Sequence, residues 1–325
     1  MQTVDFIQRC EDSGFDGVGV HDHPHSGRDV YVTLGLAAER TRLVRLYPAT
    51  SSPVVRHPLL LASAAHSLDE IAPGRVCLTV APGFLSARSV GRPRATVATM
   101  RESVLALRRL LRGESVRYEA TETRLRNVSS PPTPVYVLAA GPRMTELAGE
   151  VADGALLLVG LHPDATRAAR EHLEVGARRA GRSLEGFRVI HIVPMAIEDS
   201  PERARRWVQR WFAPGQAFLT YPSASNLYWL RRAGLDLAAD HDPERIPDDL
   251  AARVADAFGL FGPPEHCLER LLRAREEAGI EHVFLFPAHT LEGGYEMPRR
   301  EVDAFRRIIR PHLPMTASGA QSGLA

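Results

Sequence analysis

Short apolar segments alternate with helical segments along most of the chain, and this alternation restricts the fold more than any other feature. Seven of the segments are short, apolar and rich in β-branched residues, as strands buried on both faces of a parallel sheet must be. They are residues 15–20, 43–47, 75–80, 135–139, 155–159, 187–197 and 281–286. Helical periodicity fills most of the intervals between them. The sequence therefore predicts an α/β protein built on a parallel sheet.

A closed (β/α)8 barrel of the TIM type needs eight strands, and the pattern supplies seven. The chain opens on a helical pattern in which Val4, Ile7 and Cys10 recur at helical spacing, so the missing strand is most simply the first. We therefore expect a TIM-type barrel that lacks its first strand. An open doubly wound sheet is the alternative.

The composition excludes several classes of enzyme. The chain has 325 residues, and all 40 of its basic side chains are arginine because it contains no lysine. Pyridoxal-phosphate enzymes, lysine aldolases and Walker A nucleotide-binding proteins each need a lysine.

The net charge of +1 gives no reason to expect nucleic acid or a membrane as a partner. With no apolar span, no signal segment and only three separated cysteines, we expect a cytoplasmic protein.

The loop after the first strand has the sequence His-Asp-His-Pro-His at residues 21–25 and allows three interpretations. His21 and His23 could bind a metal, as the H-x-H of a zinc amidohydrolase does. Asp22 and His23 could instead form an acid/base pair beside a redox cofactor. In the third interpretation Asp22 caps a turn and His23 is structural. The metal interpretation is weakened because the last strand does not end in the aspartate such hydrolases use, so we expect no metal ligands.

A second candidate loop follows the fourth apolar segment, where Ala139-Ala140-Gly141-Pro142 opens a helix. Glycine lets a ligand approach the backbone, and proline suits the first helical turn. The N–H groups and the dipole of a helix N-terminus favour a phosphate group, and the guanidinium of Arg143 matches phosphate oxygens.

Five motifs in this order resemble the bacterial luciferase-like family, in particular its coenzyme F420-dependent, methylene-tetrahydromethanopterin reductase-like branch. The resemblance covers most of residues 3–312. The motifs are G-F-D-G-V-x-V-x-D-H at 14–23, P-V-V-R-H-P-L-x-x-A-S-A at 53–64, S-L-D-E-I-x-x-G-R-V at 67–76, A-A-G-P at 139–142 and A-G-I-E-H-V-F-L-F-P at 278–287.

The resemblance implies a (β/α)8 barrel with a helical insertion after strand seven. We therefore expect residues 1–314 to form a single luciferase-like barrel domain, with the insertion at about 198–260 and a flexible tail at 315–325. A homo-oligomer, specifically a homodimer, is expected.

The resemblance also implies roles for residues of the strand-end loops. His23 and Asp22 fall where such enzymes place the catalytic acid/base, and Ala49-Thr50 falls near a non-proline cis peptide bond beside the deazaflavin ring. The expected cofactor-binding residues are Ala49, Thr50, Ser51, Ser52, Ala81, Gly83, Ala139, Ala140, Gly141, Pro142 and Arg143. The family commonly has an acidic residue after the third-strand loop, where this chain has Phe84, so sugar-phosphate dehydrogenase activity is not predicted.

The expected activity is hydride transfer between coenzyme F420 and a small organic substrate. The alternatives are a luciferase-like monooxygenase that uses FMN, a cofactor-free paralogue that acts as a binding or assembly protein, and a metal-dependent amidohydrolase. An F420 tail carries a phosphodiester and glutamate carboxylates. Because the chain has no lysine, arginines are the main candidates to bind these anionic groups. Arg143 is the first candidate, followed by Arg56 and Arg88.

Other histidines and aromatic residues suggest secondary roles. His57 is expected to begin a helix, whereas His162 and His289 fall on the rim that would face a substrate. Aromatic residues of the insertion could form a small core, a lid or a dimer face. They are Trp207, Trp211, Tyr221, Tyr228 and Trp229.

Overall fold

The computed structural model describes residues 2–211, 224–238, 242, 245–288 and 296–314. The chain divides into two compact units. The first contains the residues up to Val137 and those from His312 onward, and the second runs Leu138–Pro311. The expected single domain stays a prediction, and the tail 315–325 lies outside the described residues.

The first unit alternates helices with short parallel strands. Its helices are α1 (Gln2–Asp12), α2 (Val30–Arg40), α3 (Pro58–Ile71), α4 (Leu85–Ser89) and α5 (Val97–Leu111). Its strands are β1 (Gly17–Val20), β2 (Arg45–Pro48), β3 (Leu78–Val80), β4 (Val116–Tyr118), β5 (Thr121–Thr123) and the start of β6 (Val135–Ala139). As expected, the helix α1 precedes the first strand. Its apolar side chains at helical spacing (Val4, Ile7 and Cys10) are buried.

Parallel pairing joins these strands in sequence order. Gly17 of β1 lies opposite Arg45 of β2, and Leu78 of β3 lies opposite Val135 of β6. Single bridges from Leu46 to Val76 and from Ser51 to Val80 connect the β2 and β3 segments. All four of these strands therefore point their carboxyl ends, and the loops that follow them, in the same direction.

The second unit is centred on the longest strand. Its helices are α6 (Pro142–Val151), α7 (Pro163–Arg179), α8 (Pro201–Trp211), α9 (Ala224–Arg232), α10 (Asp248–Phe258), α11 (Pro264–Ala278) and α12 (Arg299–Ala304). Its strands are the end of β6, β7 (Gly154–Leu157), β8 (Arg188–Ile197), β9 (Leu260–Gly262) and β10 (Val283–Pro287). β8 pairs in parallel with β7, β9 and β10.

The helical segment that follows β8 packs around a core of its own. Buried side chains of α8, α9 and α10 contact one another and β9. They are Ala204, Val208, Leu227, Leu230, Val254, Phe258 and Phe261. Trp229 is also buried, at 1% exposure, whereas Tyr221 and the side chain of Trp211 lie outside the described residues.

The structure corrects the sequence-based assignment in three places. The stretch 114–134 was expected to be irregular but contains the antiparallel hairpin β4–β5. The count of seven parallel strands was one short, because β9 is an eighth among the described residues. The last helix ends at Ala304 rather than at 312 and continues as a π-helical turn, Phe305–Ile309. Each missed strand has three residues, which is too short for alternation of apolar and polar residues to be recognised.

Among the described helices, none combines the length and the apolar character that crossing a bilayer requires.

Candidate active site and phosphate-binding turn

Asp22, in the loop after β1, is the centre of a buried polar network. Its side chain is 3% exposed. Its Oδ2 accepts hydrogen bonds from Ser51 Oγ at 2.8 Å and from Arg56 Nε at 2.9 Å, and its Oδ1 accepts one from Arg56 Nη2 at 3.1 Å. The guanidinium therefore binds both carboxylate oxygens, which is the geometry of a strong, charge-assisted pair. This arrangement fastens the loop after β1 to the loop after β2.

Arg56 also binds a second carboxylate, because its Nη2 donates to Asp29 Oδ2 at 2.8 Å. Asp29 caps the N-terminus of α2 by accepting from the backbone N–H groups of Tyr31 and Val32. Burial opposes the charge of Arg56, but its hydrogen bonds to Asp22 and Asp29 outweigh that effect and raise its pKa above the ordinary value. Burial would raise the pKa of Asp29, and the bond from Arg56 lowers it overall. Arg56 is thus occupied by carboxylates of the protein itself.

The hydroxyl groups of Tyr31 and Ser51 extend the network in one direction. Tyr31 Oη lies 2.9 Å from Ser51 Oγ, and the Arg56 guanidinium lies over the Tyr31 ring. A serine hydroxyl has one proton, and an ionised carboxylate only accepts. Ser51 therefore donates to Asp22 and accepts from Tyr31. Burial raises the pKa of the Tyr31 phenol, which keeps it a donor.

The loop after β2 contains the expected cis peptide bond, between Ala49 and Thr50. On either side of it the backbone is tied to neighbouring strands: Ala49 N donates to Val20 O at 2.7 Å, and Ser51 N donates to Thr79 O at 3.1 Å. The structure places Ala49, Thr50 and Ser51 beside the loop that contains Asp22.

Ser52 and Gly83 pack so closely that a larger side chain cannot replace the glycine. Ser52 is 1% exposed, and its hydroxyl donates to Pro82 O at 3.3 Å. Gly83 has φ of +80°, and a Cβ there would lie 2.5 Å from Ser52 Oγ. Ala81 N donates to Ser51 O at 2.9 Å. The six predicted cofactor-binding residues of the first unit therefore come together in space.

His23 is half-buried at the edge of this network, in a row of three imidazoles. Its ring centroid lies 5.1 Å from that of His21 and 5.5 Å from that of His25, on which it stacks. Within the described residues, no group of three or more histidine, cysteine, aspartate or glutamate side chains could hold a metal ion.

Phe84 is an exposed aromatic side chain next to Gly83. It is 50% exposed and precedes α4, which packs against the short turn Pro24–Ser26 that follows His23. An apolar ring therefore stands at the position where the resemblance to the luciferase-like family led us to expect an acidic side chain.

The remaining predicted cofactor-binding residues lie in the second unit, at the start of α6. Gly141 is the extended N-cap residue, and Pro142 is the first residue of the helix. A Cβ on Gly141 would lie 2.7 Å from Ser225 Oγ, and Trp229 Nε1 donates to Ala140 O at 2.8 Å. Arg143 is exposed and forms no ion pair with any residue that the structure describes.

Ser225 and Trp229 were not predicted as site residues, although both support this turn from α9. The clustering of aromatic residues in the insertion was the only signal, and it does not indicate which residue is paired with Ala140. Such a pairing between positions 89 residues apart depends on the tertiary fold.

Two other predicted histidines begin helices. His57 Nδ1 accepts from Leu59 N at the start of α3, as expected, and His162 Nδ1 accepts from Asp164 N at the start of α7. His289 lies outside the described residues.

His191, in the middle of β8, is a buried histidine with one ring nitrogen left unbonded. Its side chain is 2% exposed, and no described atom forms a hydrogen bond with its Nδ1. Burial lowers the pKa of His191 to about 4, although a hydrogen bond with the Gly160 backbone acts in the opposite direction. The native chain therefore holds this imidazole neutral down to mildly acidic pH.

We predict that His191 makes stability depend on pH. Below about pH 6.5 the unfolded chain binds a proton that the native chain resists until about pH 4, so stability falls as the pH decreases through this window. The loss is about 3 kcal/mol of unfolding free energy. Urea unfolding of the wild type and of His191→Gln at pH 7 and pH 4 would measure it. The glutamine can still donate to Gly160 but does not titrate, so equal pH dependence of the two proteins would contradict the prediction.

Comparison with known proteins identifies relatives that match most of the chain. Residues 1–282 match the family model described as luciferase-like monooxygenase. The chain is 30% identical over 288 residues to 5,10-methylenetetrahydromethanopterin reductase of Methanolobus tindarius, covering 83% of this chain and 86% of the relative. It is 32% identical over 297 residues to F420-dependent glucose-6-phosphate dehydrogenase of Beutenbergia cavernae, covering 84% and 83%.

A solved structure shows the same fold. The coenzyme F420-dependent tetrahydromethanopterin reductase of Methanopyrus kandleri aligns with a TM-score of 0.72 and 23% identity, covering 96% of this chain and 95% of that one. This likeness confirms the predicted α/β fold of the TIM-barrel type.

Proposed function

The chain belongs to the luciferase-like monooxygenase family, and from that premise we propose that it is an oxidoreductase that transfers a hydride between coenzyme F420 and a small organic substrate. The relative from Beutenbergia cavernae is named as an F420-dependent dehydrogenase, and this name supports the choice of cofactor. The relative from Methanolobus tindarius is named as a reductase of methylenetetrahydromethanopterin, which is consistent with hydride transfer to a small organic substrate.

The observation that carries the proposal is the environment of His23. The neighbouring Asp22 is fixed by Arg56 and Ser51, and Ser51 belongs to the loop that contains the cis peptide bond. Imidazole is the side chain that most readily exchanges a proton near neutral pH. His23 is half-buried and close to two loops expected to meet the cofactor, so it can exchange a proton with a substrate oxygen or nitrogen.

The residues at the start of α6 fit the phosphate group of such a cofactor. Gly141 has no side chain to block a ligand from its backbone, and Ser225 is the described residue that lies close to the place where a Cβ would be. The first N–H groups of this ten-residue helix have no hydrogen-bond partner within the helix. The guanidinium of Arg143 is exposed beside them. When bound, the deazaflavin supplies a ring carbon that gives or accepts a hydride. The protein supplies phosphate contacts at Gly141 and Arg143.

In this proposal each residue of the Asp22 network has a positioning role toward His23. Asp22 accepts three hydrogen bonds and so holds its own loop in place. Ser51 and Tyr31 fix the orientation of the loop after β2. Both oxygens of Asp22 already accept hydrogen bonds from neighbouring side chains, so this proposal assigns it no direct proton transfer. The catalytic role expected for Asp22 from the sequence stays a prediction.

The substrate is small and at least partly apolar. Phe84 replaces the acidic residue that is common in the family, and the absence of lysine removes one of the usual ligands of a sugar phosphate. An apolar ring at 50% exposure contributes binding energy through contact with apolar surface. A ketone, an imine or an alcohol beside an apolar group meets these requirements.

Cofactor titration tests the proposal directly. We expect saturable quenching of F420 fluorescence, with a dissociation constant at least about tenfold lower than that for FMN. Tighter binding of FMN would favour the monooxygenase alternative, and binding of neither by a folded protein would favour a cofactor-free paralogue. Heat-denatured protein is the control for non-specific quenching.

We also propose that the protein is a homodimer. The helix α2 exposes Val32 and Leu36, and α3, which packs against α2, exposes Leu60. Apolar side chains exposed on adjacent helices are suited to contact a second copy. Light scattering of the purified protein would give its mass.

A further inference from the structure

The turn at Gly141 is held from outside by α9, a helix that lies far from it in the sequence. Trp229 Nε1 donates to Ala140 O at 2.8 Å, and Ser225 lies against Gly141. Trp229 is only 1% exposed, so it is fixed inside the second unit. The position of the turn therefore depends on the position of α9.

The helices α6 and α7 form a rigid pair on which α9 can be fastened. A Cβ on Gly149 of α6 would collide with the backbone of Leu173, and a Cβ on Gly176 of α7 would collide with the backbone of Glu146. The two helices thus approach each other as closely as glycine allows. Because interiors are close-packed, such a backbone contact leaves little room for the helices to move relative to each other.

A chain of polar side chains fastens α9 to this pair. Tyr228 Oη of α9 lies 2.8 Å from His172 Nε2 of α7. His172 Nδ1 in turn lies 3.1 Å from Glu146 Oε1 of α6. Arg232 Nη2 donates to Tyr228 Oη at 3.1 Å, and Arg179 Nη2 donates to Glu146 Oε2 at 2.9 Å. One continuous set of hydrogen bonds therefore connects all three helices.

The carboxylate of Glu146 determines which atoms of this chain donate. Burial would raise the pKa of Glu146, but hydrogen bonds from Arg179 and His172 lower it overall, so the group is ionised and only accepts. His172 therefore carries its proton on Nδ1, and Nε2 of the neutral ring accepts from the hydroxyl of Tyr228. Loss of that hydroxyl would break the connection between α9 and α7.

The same chain packs against Trp229. The rings of Tyr228 and Trp229 meet edge to face with centroids 4.8 Å apart, and the ring of His172 meets the indole in the same manner at 6.0 Å. Aromatic pairs of this geometry attract each other. A bond that restrains Tyr228 therefore also restrains the indole that donates to Ala140.

We infer that His172 and Tyr228 are positioning residues for the turn at Gly141, and that they act on it through Trp229. The inference rests on the proposed function and extends it, because it names the side chains that keep the N–H groups of this turn in one place. Donors that are already ordered bind an anion more tightly than donors that must first be ordered, since ordering costs entropy. Neither residue is assigned a contact with the cofactor or the substrate.

The test compares two ligands by fluorescence quenching: the deazaflavin with its ribityl chain and phosphate, and the same molecule without the phosphate. The variants are Tyr228→Phe, which keeps the ring but lacks the hydroxyl, Trp229→Phe, which lacks the N–H, and the double variant. Glu174→Gln is the control, because it breaks an exposed ion pair with Arg178 on the same helix as His172. Circular dichroism shows whether each variant is folded.

We expect Tyr228→Phe to weaken binding of the phosphate-bearing ligand by about fivefold, the equivalent of one hydrogen bond, and of the phosphate-free ligand by less than about twofold. Trp229→Phe should weaken the phosphate-bearing ligand at least as much. The double variant should lose no more than Trp229→Phe alone, because Tyr228 acts through the indole. Glu174→Gln should change neither affinity. The selective loss in Tyr228→Phe decides the outcome even where Trp229→Phe does not fold.

A purely structural role would give a different result. An equal loss for both ligands in Tyr228→Phe, or no loss, would overturn the inference while leaving the proposed function intact. The same holds for a double variant whose loss is the sum of the two single losses, and for a wild type that binds both ligands equally well. A wild type that binds neither ligand, nor F420 itself, would overturn the proposed function together with the inference.

Discussion

Replacing His23 by alanine is expected to lower kcat by about 10²–10⁴-fold, the range typical of a lost general acid or base, while changing cofactor affinity by less than about twofold. The half-buried imidazole is next to the Asp22 network, whose hydrogen bonds between the two loops, as given above, come from Ser51 and Arg56. Its removal should therefore affect proton exchange more than binding. Steady-state kinetics and fluorescence titration of the same preparation separate the two effects.

His25→Ala is the matched control, because His25 is in the same loop and stacks on His23 but is exposed. We expect it to retain turnover within about threefold of the wild type. The dependence of kcat on pH supplies a second readout, since one limb of the profile should disappear in His23→Ala and persist in His25→Ala. If turnover in His23→Ala stays within tenfold of the wild type and keeps that limb, the proton is exchanged by another group.

Local patterns predicted the elements of this fold better than they predicted its contacts. Runs of β-branched and apolar residues located β6 to the residue and most other strands to within about three residues, because a strand buried on both faces must be apolar throughout. The three-residue strands β4, β5 and β9 have no such signature. They are strands only because a partner lies beside them.

In the candidate site, too, the local segments were easier to predict from the sequence than the contacts between them. Short motifs identified the loops at 21–23, 49–52 and 139–143, since each follows a strand and is constrained by local backbone geometry. The sequence did not reveal that Arg56 binds Asp22, because the two are 34 positions apart and Arg56 was a candidate ligand for the cofactor instead. Nor did it reveal the contact between Trp229 and Ala140. Pairs of this kind are set by how the elements pack, which a single sequence does not specify.

Removal of Arg56 is expected to destabilise the first unit strongly. Arg56→Ala leaves Asp22, at 3% exposure, with Ser51 as its remaining hydrogen-bond donor among the bonds described above. A buried charge that has lost its partner typically costs about 3–5 kcal/mol. Arg56 is itself 27% exposed, so water can replace part of the interaction, and a value near 3 kcal/mol is expected. Urea unfolding gives the change in the free energy of unfolding.

Two further proteins separate the loss of the ion pair from the loss of a large side chain. Arg40→Ala breaks an exposed pair, with Asp5 at 2.9 Å, and should cost no more than about 1 kcal/mol. The double variant Asp22→Asn with Arg56→Met removes both charges and should be more stable than Arg56→Ala alone, because no unpaired carboxylate stays buried. A double variant as unstable as Arg56→Ala would mean that packing of the arginine side chain, rather than its charge, holds the two loops together.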